Sequence, residues 1–173
     1  MKKNKKTSSK TRIVKDSMGV INIPADALYS AQTQRAINNF PISNIRFSND
    51  FIYTLVIIKR SAAIVNYKLN LLNKNYMNAI VSASDEVLKG KYDDCFPIDI
   101  FQTGSGTSTN MNVNEVLANI SNAKIRNKNM VIHPNDHVNM GQSSNDVIPT
   151  AINISTLINI ENKLIPSLKK IKK

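Results

Sequence analysis

Apolar residues recur at Phe51, Leu55, Ile58, Ala62, Val65, Leu69 and Leu72, three or four positions apart. This spacing predicts an amphipathic helix that opens at Asn49–Asp50, both good N-cap types, and runs to Leu72. A second helix is expected from Tyr76 to Lys89, with Ile80, Val81, Val87 and Leu88 inward and Gly90 at the C′ position. The run NEVLANI starts another, near Asn112. The longest candidate begins at Asp146 and reaches Lys173, with Pro149 in its first turn, where a missing N–H is tolerated. Leu157, Ile160, Leu164, Leu168 and Ile171 form one stripe on it, and Ile154, Ile158 and Ile165 an adjacent one. Together they cover an arc of roughly 160°, wider than a surface helix needs. Such a helix wants neighbours on two sides, and no later helix follows to cover it, so the sequence is expected to be incomplete. Only VINIP, residues 20–24, alternates like a short strand, with Pro24 opening a helix near Asp26. The fold class is therefore all-α, with a small N-terminal strand or hairpin.

The formal charge of +11 invites a nucleic-acid partner, but its distribution argues against one. Nine of the 23 basic residues lie in the first ten and last five positions, leaving 14 basic against 12 acidic residues between them. Like-charged termini are solvated tails, and no aromatic side chains interleave these to stack on bases. Residues 1–11 read as a basic, disordered tail. The opening lysines lack the apolar run of a signal peptide, and no apolar span is long enough to cross a membrane. With the single Cys95, which cannot form an internal disulfide, these features give the expectation of a cytoplasmic protein with no membrane and no nucleic-acid partner.

Two polar stretches interrupt the helices. QTGSGTSTNMNVNE, residues 102–115, holds two of the chain's five glycines and the hydroxyls of Thr103, Ser105, Thr107, Ser108 and Thr109. HPNDHVNMGQSSND, residues 133–146, ends in Gly141, Gln142, Ser143, Ser144, Asn145 and Asp146. Each precedes a helix, so backbone N–H groups, small hydroxyls and a positive helix end converge, which suits a carboxylate. A phosphate fits less well, because the Gly-Lys-Ser/Thr ending of a P-loop is absent. Two such places suit a ligand with two carboxylates, although Ser, Asn and Asp before a helix are most often plain caps. His133 and His137 flank Asp136, but Pro134 disrupts a helical His pair and no second cysteine or acidic cluster completes a metal set; no metal and no cofactor are expected. Asp93–Asp94 beside Cys95 reads as a solvated loop.

Taken together, TGSGTSTNMNVNEVLAN and HPNDHVNMGQSSNDVIPTAI resemble the class II fumarases of the fumarase/aspartase superfamily. KDSMGVINIPADALYSAQTQRAINNF, KRSAAIVN and ASDEVLKGKYDDCFPIDIFQTGSG follow the same family in order. The resemblance implies an almost entirely helical homotetramer whose sites each draw on three subunits, and the reversible hydration of fumarate to (S)-malate. It implies that Ser105, Thr107, Ser143, Ser144 and Asn145 bind a substrate carboxylate, and that His133, Asn135 and Asp136 form a second, non-catalytic dicarboxylate site. Residues 12–145 would be the N-terminal lyase domain and 146–173 the first part of the central helical bundle. The family's base, a serine in a later glycine-serine loop near a lysine and an asparagine, has no counterpart among the 173 residues, so the chain alone is expected to be inactive.

Departures from the family pattern are small. Val14 replaces an acidic residue and puts a local salt bridge in doubt; Ser108–Thr109 replaces Gln-Ser; Met130 stands where some members have a basic residue, a role left to Arg126 or Lys128. The rival readings are an aspartate ammonia-lyase fragment and a non-catalytic interaction fragment or gene remnant. The histidine of HPND and the run GQSSND lean toward fumarase.

Overall fold

The computed structural model describes residues 10–125 and 129–172. Most of the expected basic tail, Lys173, and the two cations Arg126 and Lys128 lie outside the described residues. Strands β1 (Thr11–Asp16) and β2 (Gly19–Pro24) form an antiparallel hairpin in register from Thr11 opposite Pro24 to Asp16 opposite Gly19. Thr11 is thus already in a strand rather than in a tail. Asp16 pairs with Arg35 through two contacts of 2.9 Å, an ion pair that does not involve Val14.

Pro24 closes β2 instead of opening a helix; helix α1 (Ala31–Asn39) begins later. The reason is tertiary. The N–H groups of Ser30, Gln32 and Thr33 donate to the buried Glu115 carboxylate at 2.8, 3.0 and 3.1 Å, so the first turn forms where that carboxylate can cap it.

Helix α2 (Asn49–Lys68) appears where its apolar spacing placed it, but turned by about one residue. Ile52, Leu55, Val56, Lys59, Ala63 and Asn66 are buried, whereas Val65 and Leu69 are 51% and 61% exposed. Thr54, Lys59 and Asn66 are the polar side chains buried on this helix, and each has a hydrogen-bond partner. Helix α3 (Lys74–Val87) is capped by Asn73, whose side chain accepts from the Asn75 N–H at 2.8 Å; it buries Ile80 and Val87, and Gly90 beyond its end takes φ +77°.

Helix α4 (Thr107–Lys124) starts well before Asn112, so Asn110, Asn112 and Asn114 lie inside it and are buried. It runs through the centre of the fold against α1, α2, α3 and helix α5 (Ser144–Asn159). Leu55, Val56, Ile80, Val113, Val116 and Ala151 pack between these helices as the core. Pro149 sits in the second turn of α5 rather than the first. The last helix is also not uniform: a π turn at Ile160–Leu164 joins α5 to α6 (Ile165–Ile171). Pro166 supplies no N–H and crowds the preceding carbonyls, and the wider turn relieves both. The apolar stripes of this rod are largely uncovered, with Leu164, Leu168 and Ile171 exposed by 50%, 55% and 81%. No helix among the described residues is long and apolar enough to cross a membrane.

Candidate carboxylate site

The first polar stretch divides its hydroxyls between two tasks. Gln102 Oε1 accepts from the Thr109 N–H at 2.8 Å and Thr103 Oγ1 from the Ser108 N–H at 3.2 Å, closing the first turn of α4. Ser108 and Thr109 are buried in that work, while Ser105 and Thr107 remain exposed. Ser105 (φ +59°) and Gly106 (φ +63°) are both left-handed. A side chain in that conformation costs on the order of 1 kcal/mol, which marks Ser105 as held there by its surroundings. Gly106 has to be glycine for a second reason, since a Cβ would stand 3.0 to 3.3 Å from the side chain of Ile148 on α5. The starts of α4 and α5 are thereby brought against each other.

In the second stretch Gly141 (φ +69°) turns the chain, and Ser143 caps α5 by accepting from the Asn145 N–H at 3.2 Å. The plain capping role is therefore real for Ser143, and its hydroxyl proton is still available to a ligand. Ser144 Oγ lies 3.1 Å from Thr107 Oγ1, across 37 residues of sequence. Ser143 and Asn145 are exposed beside it. Hydroxyl and amide donors from both stretches thus gather where two helices present their positive ends. Such a surface can hold a carboxylate and neutralise charge that grows on it. None of these side chains is a base at neutral pH.

Beneath the hairpin turn, His133 and Asn135 line a cavity of about 320 Å³ with Lys15, Gln32 and the carboxylates Asp16 and Glu115, both of which are engaged by donors of their own. Asp136 stands beside it, with Oδ2 3.2 Å from His133 Nδ1. His137 points elsewhere: its Nδ1 accepts from the His133 N–H at 2.8 Å, and its ring lies 4.5 Å from that of Tyr76. Burial, with the neighbouring His133, lowers its proton affinity, and Asp136 only partly offsets this. Among the described residues no three His, Cys, Asp or Glu side chains are grouped to hold a metal.

A model of the family described as Lyase matches residues 19–173. The chain belongs to this lyase family. It is 52% identical over 166 residues to the class II fumarate hydratase of Xylella fastidiosa (strain Temecula1), covering 96% of this chain and 34% of the relative. The class II fumarate hydratase of Halobacterium salinarum is 51% identical over 160 residues, with 91% and 34% covered. Among solved structures, recombinant class II fumarase from Schistosoma mansoni superposes with a TM-score of 0.87 at 44% identity, over 92% of this chain and 34% of that one. The chain spans about a third of the length of the curated relatives it matches.

In this lyase chain the structure also brings forward residues that pattern reading passed over. Lys59 is fully buried and donates from Nζ to Asn139 Oδ1 at 2.7 Å. Burial pushes its pKa down to about 7. Asn110 Nδ2 reaches the same oxygen at 3.3 Å. The available signal was a lysine four residues after Leu55, inside an otherwise apolar helical face.

Proposed function

We propose that this chain carries the N-terminal, carboxylate-binding part of a class II fumarate hydratase, which reversibly adds water to fumarate to give (S)-malate. The observation that carries the reading is the contact of Thr107 with Ser144, which unites the two donor stretches at paired helix starts. The naming of relatives at about half identity as class II fumarate hydratases supports it. In the elimination direction a base removes a proton beside one carboxylate, charge builds on that carboxylate, and an acid helps hydroxide leave. Ser105, Thr107, Ser143, Ser144 and Asn145 are the donors for the growing charge, where most of the rate enhancement originates. His133, Asn135 and Asp136 form the second dicarboxylate site. The base and acid come from outside these 173 residues. On this reading residues 12–145 are the N-terminal lyase domain, 146–173 open the central bundle, and the assembled enzyme is a cytoplasmic homotetramer that uses no cofactor.

The test is the absorbance of fumarate, followed with the chain alone and with the chain joined to the C-terminal remainder of the Xylella relative. The chain alone should show no turnover and the hybrid should hydrate fumarate. Asn145→Ala in the hybrid should lower kcat/KM by about 10- to 1,000-fold, the scale of one lost transition-state donor. Turnover by the chain alone, or an Asn145→Ala hybrid as active as its parent, would overturn the proposal.

A further inference from the structure

Behind the exposed donors lies a set of buried and half-buried polar groups to which that reading gives no role. Asn139 Oδ1 accepts from Lys59 Nζ on α2 at 2.7 Å and from Asn110 Nδ2 on α4 at 3.3 Å. Its other amide atom, Nδ2, donates to the Gln142 carbonyl at 3.0 Å. Asn110 follows Thr107 by three residues, and Gln142 immediately precedes Ser143. Asn66, two turns along α2 from Lys59 and on the same face, donates to the Met140 carbonyl at 3.0 Å. One helix therefore grips the 139–142 loop at two points, and one of those points also holds α4.

Packing alone does not account for Lys59. A buried ammonium without a carboxylate partner is costly, and an apolar side chain of similar length would fill the volume without that penalty. What lysine adds is a donor that reaches Asn139. The direct contact of Thr107 with Ser144 cannot by itself keep the donors spaced, because it is exposed and the hydroxyls must turn away from each other to face a ligand. The geometry points to Lys59 as a positioning residue: through Asn139 it holds the start of α4, with Thr107, at a fixed spacing from the start of α5, with Ser143, Ser144 and Asn145. This inference rests on the reading of the two stretches as one carboxylate site.

Hydrogen exchange of the 173-residue chain, read with the ¹⁵N resonance of the Asn139 side-chain amide, tests it. Relative to α3 of the same variant, Lys59→Met should speed exchange about tenfold in both 103–110 and 139–146, the loss of roughly one hydrogen bond, with exchange in α3 itself no faster than in the parent. The Asn139 side-chain resonance should move, since it reports the bond at its own oxygen. Asn110→Ala, altered only on α4, should loosen 139–146 as well, and it decides the matter alone if Lys59→Met does not fold. Acceleration that includes α3, or that stays within the segment carrying the substitution, would overturn the inference. Fumarate is added in a parallel arm; failure to protect the two stretches counts against the dicarboxylate site, while the role of Lys59 is decided by the exchange pattern of the variants.

Discussion

Replacing Lys59 with methionine has a consequence for stability whose size depends on pH. The ordinary lysine value of 10.5 falls to about 7 in the folded chain because the side chain is taken out of water. At about 1.4 kcal/mol per unit, that depression amounts to about 5 kcal/mol. Below pH 7 both folded and unfolded chains carry the proton, and the full penalty applies. Between pH 7 and 10.5 the unfolded chain binds a proton that the folded chain does not, so stability rises by about 1.4 kcal/mol per pH unit. Methionine has a similar length and no charge, and its variant lacks this slope. It loses the hydrogen bond to Asn139, at about 2 kcal/mol for a charged donor, while Asn110 continues to satisfy that oxygen. At pH 6 Lys59→Met should therefore be about 3 kcal/mol more stable than the parent, and by pH 9 the two should be within about 1 kcal/mol of each other. Urea unfolding at pH 6, 7.5 and 9 measures this, with other titrating groups common to both proteins. A difference that stays constant with pH, or widens as pH rises, would refute the reasoning.

Glu115→Ala should destabilise the chain by at least about 3 kcal/mol in urea unfolding, because three N–H groups at the start of α1 lose a charged acceptor together. Gly106→Ala should cost about 1–3 kcal/mol, combining the left-handed backbone with the approach to Ile148, and thermal unfolding reads it. The exposed stripe on α5 and α6 should make the isolated chain self-associate, as seen by light scattering; Leu164→Glu with Leu168→Glu should reduce the particle size at unchanged helical content.

Much of this molecule is legible without its coordinates, in the places where energy is local. Helices α2 and α3 and the left-handed Gly90 follow from spacing and propensity among residues a few positions apart. So does the concentration of donors in the two polar stretches. Helix starts set by distant partners escaped the same reading. Pro24 and Asp26 offer a good local start, yet α1 waits for Ala31 because Glu115, over 80 residues away, supplies the cap there.

Sequence by itself determined the element types and which residues were chemically fit to hold an anion. Tertiary structure alone decided which of them could do so. Ser108 and Thr109 have the same hydroxyls as Ser105 and Thr107, but the packing of α4 against its neighbours buries the first pair, and only the second faces outward. Lys59 and Asn66 lie on the buried face of α2, and Val65 and Leu69 on its surface, because Asn139 and the Met140 carbonyl stand opposite the first pair. A polar group leaves water only where a partner replaces the lost hydrogen bonds, and that partner is chosen by packing across the chain, which no local pattern of residue types encodes.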